Sequence, residues 1–448
     1  MISFRYWLKF ILAFVSKFKT LLFVGTIVGA IVFIIISQAT QVFSFLNSGK
    51  KIGLVGRYSI NDLPISIQSD ISLGLTTIDA KSNVNQGLAE SWEAQDEGKT
   101  WIFRLKDSKW QDGSQIRARD INYKFNDVTT EVVDDKTIKF TLEDPFAPFP
   151  SVVSRPVFKK GLLGSGSWKV SKIGLAPGSS EILESIKLVN LKDSSVKIYR
   201  FYPTEDSARI ALKLAEINEL QEVVDPKDLK TWKNLNILAQ VRENLYTGVF
   251  INTQDPIFSD KSLRQALAYA INKEGFEGER AISPIAPYSW SFNPQVKRYE
   301  YNQNRAKELI NTLPKEQREG LSIKLVTIPT LLPIADRIKA DWDAAGIQTQ
   351  IQVSNSPPSD FQALLAIQAI PPDPDQYSFW HSTQEATNIT KYRSAKESPR
   401  IDKLLEDGRR TLNQEERKKI YLDFQRFLVE DCPVIFLYHP VTYTISKK

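Results

Sequence analysis

The chain has 448 residues, 42% of them hydrophobic and 25% charged, values that are typical of a folded globular protein and not of a disordered one. The formal net charge is +6, but the five charged residues among the first fifty are all basic, which leaves only +1 for everything after Lys50. A basic surface for nucleic acid is therefore not expected, and the length allows two or three lobes with separate cores.

The first predicted element is an apolar segment close to the N-terminus. No charged residue occurs over 20–49, and 21–36 is almost wholly apolar, which approaches the length of a bilayer core. Basic residues lie only before this segment, so the positive-inside rule predicts a cytoplasmic segment at 1–19, a transmembrane anchor at 20–46 and an extracytoplasmic remainder. A signal peptide cleaved near 37–39 is the alternative.

A β-hairpin is predicted next. Residues 91–93 and 100–106 indicate two strands on either side of a turn at 97–98, and the second strand places its aromatic and aliphatic side chains on one face. After a further turn, Ile121 and Phe125 stand at helical spacing, which predicts a helix over 118–125.

The second half of the chain predicts an α/β lobe. A strand ends at Asn252, and a helix begins near Asp260. Strand, helix and strand then follow at 321–328, 334–345 and 347–353, an order that implies a parallel pair of strands. Because ligands of open α/β sheets lie beyond the carboxyl ends of the strands, a cleft is expected to face three residues that follow the two predicted strands: Pro329, Thr330 and Ser354.

These blocks, in this order, resemble the bacterial extracellular solute-binding proteins of family 5, which serve peptide, nickel and related ABC importers. The family's Leu-Ala-Glu-Ser-Trp appears at 88–92, and its aromatic-x-Asp-Gly at 110–113. Its Thr-Ala-x-Asp-Val appears at 117–121, with Arg117 in place of Thr. Its aromatic-x-Asn and Asp-x-x-x-Arg-Gln-Ala-x-x-x-Ala-Ile patterns appear at 250–252 and 260–271.

The resemblance implies an α/β fold of the periplasmic-binding-protein type II class, in which two lobes close on a solute. An extra β-rich subdomain is implied, and one N-terminal transmembrane helix precedes the fold. The implied divisions are lobe I at 51–84, 159–246 and 431–448, the β-rich subdomain at 85–158, and lobe II at 247–430.

The candidate ligand contacts concentrate in 371–382, PPDPDQYSFWHS, where rigid turns, carboxylates and aromatic rings alternate. In the family, the matching Asp-Pro-Asp segment lines the cleft, and peptide binders carry an aspartate three residues earlier that pairs with the peptide's amino group. Here that position is Ile370, so either another carboxylate takes this role or the ligand is not held through an amine. The alternative is that the segment only caps turns and packs in the core. The candidate ligand-binding residues are Tyr58, Asn252, Trp290, Asp373, Asp375, Trp380, His381, Asn388 and Tyr392.

Little in the sequence indicates catalysis or a cofactor. The chain has two histidines, His381 and His439, and one cysteine, Cys432, which excludes an intramolecular disulfide. No catalytic residue, metal site or cofactor is expected. The expected partners are a peptide or similar small solute, an ABC transporter permease and, through the anchor, the lipid bilayer, with the protein a monomer. A surface-tethered hydrolase or a chaperone-like module on the same fold is the alternative.

Overall fold

The computed structural model describes residues 16–20, 25, 49–356, 358, 360–393 and 400–448. The predicted anchor at 20–46 lies outside these described residues, apart from Thr20 and Gly25. Within the part of the chain that is described, no helix combines enough length with enough apolar character to span a membrane.

The described residues from 49 onward form eighteen strands and ten α-helices, and residues 16–20 and 25 are also helical. The strands are β1 (Lys50–Val55), β2 (Thr76–Ile78), β3 (Val84–Gln86), β4 (Ala89–Gln95), β5 (Thr100–Leu105), β6 (Val128–Val132), β7 (Thr137–Leu142), β8 (Trp168–Leu175), β9 (Leu183–Asn190), β10 (Val196–Tyr202), β11 (Glu219–Val223), β12 (Leu235–Val241), β13 (Leu245–Ile251), β14 (Gly278–Arg280), β15 (Ser322–Thr327), β16 (Gln348–Val353), β17 (Ala363–Ala369) and β18 (Val434–Lys447). The helices are α1 (Ile65–Ile71), α2 (Phe149–Val152), α3 (Glu205–Lys213), α4 (Lys261–Ala270), α5 (Gln303–Asn311), α6 (Lys315–Arg318), α7 (Leu332–Ala344), α8 (Tyr377–Trp380), α9 (Arg400–Arg410) and α10 (Gln414–Asp431).

Most strands belong to one hydrogen-bonded path, in the order β16-β15-β17-β13-β18-β11-β1-β10-β9-β8. The long strand β18 lies in the middle of this path and pairs with strands on both sides. Through Tyr438 it pairs with β13, and from Val441 onward it pairs with β12. Through β18 the chain passes from one lobe to the other. It passes between the lobes a second time at residues 242–244, between β12 and β13. Two α/β lobes are thus joined by strand β18 and by the turn at 242–244, which is the geometry of a hinge.

The predicted lobe divisions remain a prediction, and the shared strand suggests one adjustment to them. Residues 431–448 were assigned as a whole to lobe I, whereas the first part of β18 packs in the core of lobe II. It does so because β13 needs a partner on that edge and because Val434 and Ile435 are buried there. We therefore place the division near Pro440.

The parallel pair predicted in lobe II is confirmed. β15 pairs in parallel with both β16 and β17. The helix between β15 and β16 ends at Ala344, one residue before the predicted end, and Gly346 follows with φ +92°, a conformation that glycine adopts without steric cost. Trp342 on this helix is fully buried and donates its indole N–H to the carbonyl of Leu267 at 3.1 Å, which ties α7 to α4.

The predicted hairpin is also confirmed, and it forms part of a separate antiparallel sheet in the order β4-β5-β7-β6. Trp92 lies opposite Phe103, and Trp101, Phe103 and Leu105 are all buried as the alternation predicts. The ring of Phe103 contacts Phe140 edge-on at 5.8 Å, so the β-rich subdomain has an aromatic core of its own.

The helix predicted over 118–125 is wrong. Only Ala118–Asp120 form a 3-10 turn, and Ile121 is already extended, with φ −83° and ψ 113°. The cause lies in a distant contact: the hydroxyl of Tyr123 donates to the carbonyl of Val153 at 2.6 Å and accepts the N–H of Leu75 at 3.0 Å. These bonds hold the segment in a non-helical conformation across the subdomain.

Candidate binding site

A cavity of about 900 Å³ lies between lobe II and the rest of the molecule. Its first wall is formed by α1 together with residues 72–78 and 146–156. Its second wall is residues 371–379 of lobe II. A smaller cavity of about 270 Å³ adjoins it, since Ser151 and Asp373 line both. The volume of the larger cavity is in the range of small-molecule sites.

The cavity lies where the rule for open α/β sheets places ligands, but at other strands than predicted. The second wall follows the carboxyl end of β17, and α1 of the first wall follows β1. The three residues expected at the cleft, Pro329, Thr330 and Ser354, line neither the large nor the small cavity. They follow β15 and β16, which stand farther from the lobe boundary than β17 in the strand order.

Asp373 lines both cavities and is held by an arginine. Its two carboxylate oxygens accept from Nη1 and Nη2 of Arg417 at 2.9 and 2.5 Å. One of them also accepts the backbone N–H of Asp375 at 2.9 Å. Burial lowers the pKa of Arg417, but the Asp373 carboxylate and the Tyr421 side chain together outweigh burial and raise that pKa above its ordinary value. The ion pair is nearly enclosed, with side-chain exposures of 7% for Arg417 and 14% for Asp373.

Asp375 lines the large cavity and is paired in the same way. Its carboxylate accepts from Nε and Nη2 of Arg409 at 3.0 and 2.9 Å, and it also accepts the N–H of Tyr377 at 3.1 Å. The Arg409 guanidinium stacks 3.9 Å from the Tyr377 ring. The carbonyl of Arg409 accepts the N–H of Ala147, at 2.6 Å, from the β-rich subdomain. One residue thus connects the second wall to the subdomain.

Trp290 reaches the smaller cavity. It is half-buried, and its ring lies 5.8 Å from the Arg417 guanidinium. The structure therefore brings Trp290 and Asp373 together at one cavity. Trp380 and Tyr392, two further candidate ligand contacts, line neither the large nor the small cavity.

Trp380 and His381 lie behind the second wall and support it. The indole N–H of Trp380 donates to Oε1 of Gln376 at 3.1 Å, and the side chain is 2% exposed. His381 is also buried, lies between Thr383 at 2.8 Å and Glu406 at 3.3 Å, and stacks on Tyr377 at 4.0 Å. Their contacts are those of residues that position the loop.

Asn388, Tyr392 and Asn252 make internal hydrogen bonds within lobe II. Nδ2 of Asn388 donates to the Tyr392 carbonyl at 2.8 Å, and the Tyr392 hydroxyl donates to Asp431 at 2.6 Å. Nδ2 of Asn252 donates to the carbonyl of Phe361 at 3.0 Å. All three are buried and lie outside the lining of the two adjoining cavities, so their contacts do not place them at the ligand.

Tyr58 packs in lobe I, away from both adjoining cavities. Its hydroxyl donates to the carbonyl of Val55 at 3.1 Å, and its ring lies 5.1 Å from Phe201. Burial raises the pKa of Tyr58 above its ordinary value. The residue follows β1, but it turns toward the core of lobe I and not toward the second wall.

Sequence reasoning missed the arginines of this site. Arg417 stands four residues before Tyr421 on α10, and its Nη2 lies 3.4 Å from the Tyr421 hydroxyl. Arg155, on the first wall, lies near the end of the predicted β-rich subdomain. The one sequence signal that could have indicated these arginines is an arginine on the buried face of a helix. Of the two, only Arg417 shows this signal. Among the described residues, no group of three or more His, Cys, Asp or Glu side chains is arranged to hold a metal ion.

A known protein family and several known proteins match this chain in sequence. A model of "Bacterial extracellular solute-binding proteins, family 5 Middle" matches residues 83–173 and 193–388. Oligopeptide-binding protein AppA of Bacillus subtilis is 24% identical over 86% of this chain and 83% of its own length. The dipeptide-binding protein of Escherichia coli is 23% identical over 82% of this chain and 83% of its own length.

Solved structures show the same fold. NikZ from Campylobacter jejuni, in complex with Ni(L-His), superimposes with a TM-score of 0.71 at 22% identity, covering 89% of this chain and 94% of its own. The Bacillus subtilis AppA structure, in complex with a nonapeptide, gives a TM-score of 0.67 at 22% identity, with 89% and 95% covered. At this identity the likeness concerns the fold and leaves the ligand open.

Proposed function

Because this chain belongs to the bacterial extracellular solute-binding proteins of family 5, we propose that it captures a peptide or similar small solute between its lobes and delivers it to an ABC importer. Relatives named for oligopeptide and dipeptide binding support the choice of peptides as the first class to test. The permease would recognise the closed arrangement of the lobes.

The observation that carries this proposal is the interlobe cavity of about 900 Å³. Its walls come from opposite sides of the crossing formed by β18 and residues 242–244. A rotation about that crossing would separate the walls and admit a solute, and the reverse rotation would enclose it. Function would then consist of binding and release, with no bond broken.

The alternative of a hydrolase receives less support from the cavity. A general acid or base must exchange a proton with the substrate, whereas Asp373 and Asp375 are each engaged by an arginine. A chaperone-like module would need a wide surface, while the two walls here enclose a defined volume. We therefore propose a binding protein and not an enzyme.

The placement of the protein at the membrane is a further part of the proposal. The uncharged segment at 20–49 and the basic residues before it support an N-terminal anchor with the lobes outside the cytoplasm. A monomer suffices for this function, because both walls of the cavity come from one chain.

Thermal unfolding of the full-length chain tests the proposal directly. The chain, purified in a mild detergent, is to be screened against short peptides, sugars and metal chelates. A ligand present at 100 times its Kd stabilises the folded state by about 2.7 kcal/mol, which raises Tm by several degrees. We expect this rise for peptides, and no rise for any peptide would contradict the proposal.

A cavity-filling variant supplies the control. Ser151 lines both adjoining cavities, so Ser151→Trp should abolish the rise in Tm caused by peptide. Ser171 is exposed on β8, and Ser171→Trp should leave the rise intact. Equal responses of the two variants would mean that the ligand binds elsewhere.

A further inference from the structure

Three ionisable side chains line the large cavity. Two are acidic, Asp373 and Asp375, and one is basic, Arg155. Each aspartate forms a bidentate or near-bidentate pair with an arginine outside the lining, and each such pair is neutral as a unit. Arg155 is exposed, and no ion pair to it occurs among the described residues. The lining therefore presents one uncompensated positive charge.

The same lining offers no free anion to an ammonium group. All four carboxylate oxygens of the two aspartates already accept hydrogen bonds from arginine or backbone N–H groups. Ile370, next to the second wall, is 7% exposed and packs in the core of lobe II, while its N–H donates to Asn244 at 2.8 Å. A cation transferred from water into this cavity would lose hydration and gain no opposite charge.

The rest of the lining is mainly apolar, with a few hydroxyl groups. Apolar side chains come from both walls: Ile65, Leu73, Ile78, Phe146, Val152 and Phe379. The hydroxyls of Ser69, Ser151 and Ser378 also line the cavity, and within the described ranges their side chains make no hydrogen bond to the protein. Such a surface suits a solute with an apolar body and few polar groups.

We propose that the solute of this cavity is an anion with an apolar body and no free ammonium group, and that Arg155 selects it by binding its carboxylate. This inference rests on the proposed function and narrows its solute class to N-blocked peptides and similar apolar carboxylic acids. Arginine suits the task because its planar guanidinium binds a carboxylate through two parallel hydrogen bonds.

Four forms of one apolar tripeptide, Ala-Leu-Phe, test the contributions of its amino and carboxyl termini to binding one at a time. The full-length chain is to be titrated calorimetrically with the unmodified, N-acetylated, C-amidated and doubly blocked peptides. The N-acetylated form should bind at least as tightly as the unmodified one. Removing the carboxylate should weaken binding about tenfold, the ratio that a charge-assisted hydrogen bond corresponds to.

Variants of Arg155 assign the preference to this residue. Arg155→Gln should reduce the affinity for the N-acetylated form to that of the doubly blocked form, and Arg155→Lys should restore part of it. Arg119 is exposed on the β-rich subdomain and lies outside the lining of the cavity, so Arg119→Gln should change neither affinity.

The outcomes distinguish this inference from the proposed function beneath it. Tighter binding of the amine-bearing C-amidated form, or an unchanged affinity in Arg155→Gln, would overturn the inference and leave peptide capture in place. If none of the four forms bound to the folded chain, peptide capture itself would fail, and the inference would fall with it.

Discussion

The two walls of the interlobe cavity are held in place by different interactions. The second wall, 371–379, is fixed by ion pairs that connect its aspartates to Arg409 and Arg417. The first wall is fixed by backbone packing: a Cβ added at Gly74 would lie 2.5 Å from the carbonyl carbon of Ser154. The difference teaches that a carboxylate in a wall can serve the wall itself, which is why our proposal assigns selectivity to the unpaired Arg155.

The largest effect is expected from Asp373→Asn on the second wall. The substitution keeps the shape but leaves the Arg417 guanidinium buried without a counter-charge, which costs about 3 to 5 kcal/mol. Thermal unfolding should show a Tm lower by several degrees. The double variant Asp373→Asn with Arg417→Met should lose less than the single one, and an equal loss in both would show that the ion pair does not hold the second wall.

Gly74→Ala tests the first wall and should have the next largest effect. The new methyl group would meet backbone atoms of Ser154 and Val153 at 2.5 to 2.6 Å, and overpacking of this kind costs about 1 to 3 kcal/mol. In the control Gly174→Ala, the nearest atom is the Ser185 hydroxyl, which can rotate away. Denaturant unfolding should therefore separate the two variants, and similar losses would contradict a wall fixed by close packing.

Asp375→Asn should cost less than Asp373→Asn, about 1 kcal/mol. The Arg409 side chain is 30% exposed, so water can replace part of the lost interaction. Its stacking on Tyr377 does not need the carboxylate. Unfolding of both variants under one set of conditions tests this ranking. An equal loss in the two variants, or a larger loss in Asp375→Asn, would contradict it.

The smallest expected effect concerns pH and lies at the crossing between the walls. His439 on β18 donates from Nδ1 to the carbonyl of Leu245 on β13 at 2.6 Å, and burial lowers its pKa below the ordinary value. Neighbouring Glu243 and Glu279 oppose this shift, and Arg280 adds to it.

The sign of this effect follows from the lowered pKa. Stability is fully present above the unfolded pKa of about 6.5, and it falls as pH drops below that value, because only the unfolded chain then takes up the proton readily. Unfolding measured between pH 8 and pH 5 should show a shallow loss that His439→Gln removes. A loss of the same size in the variant would assign it to other groups.

Local patterns predicted those elements whose contacts are local. The hairpin of β4 and β5 follows from alternation along the chain, and α7 follows from its apolar face and terminal glycine. The segment after Ala118 failed because Tyr123 bonds to residues 30 and 48 positions away, which no local pattern records. Propensity was overridden there by tertiary contacts.

The candidate site was predicted in part, for the same reason. The density of prolines and carboxylates in 371–382 located the second wall, and Trp290 and both aspartates line the adjoining cavities. Their arginine partners follow 34 and 44 residues later on other helices, at no characteristic spacing. Asn388 and Tyr392 were also candidates, but the Asn388 side chain bonds to the Tyr392 backbone, and the Tyr392 hydroxyl bonds to Asp431, inside the lobe.

The shared strand β18 also bears on how the protein is made. It follows all seventeen other strands in the chain, yet it lies between β13 and β11 in the middle of the sheet path. While the ribosome is still synthesising the earlier residues, both of these strands have an unpaired edge, and such edges promote aggregation. We therefore expect the two lobes to complete their folding together, only after β18 has been synthesised.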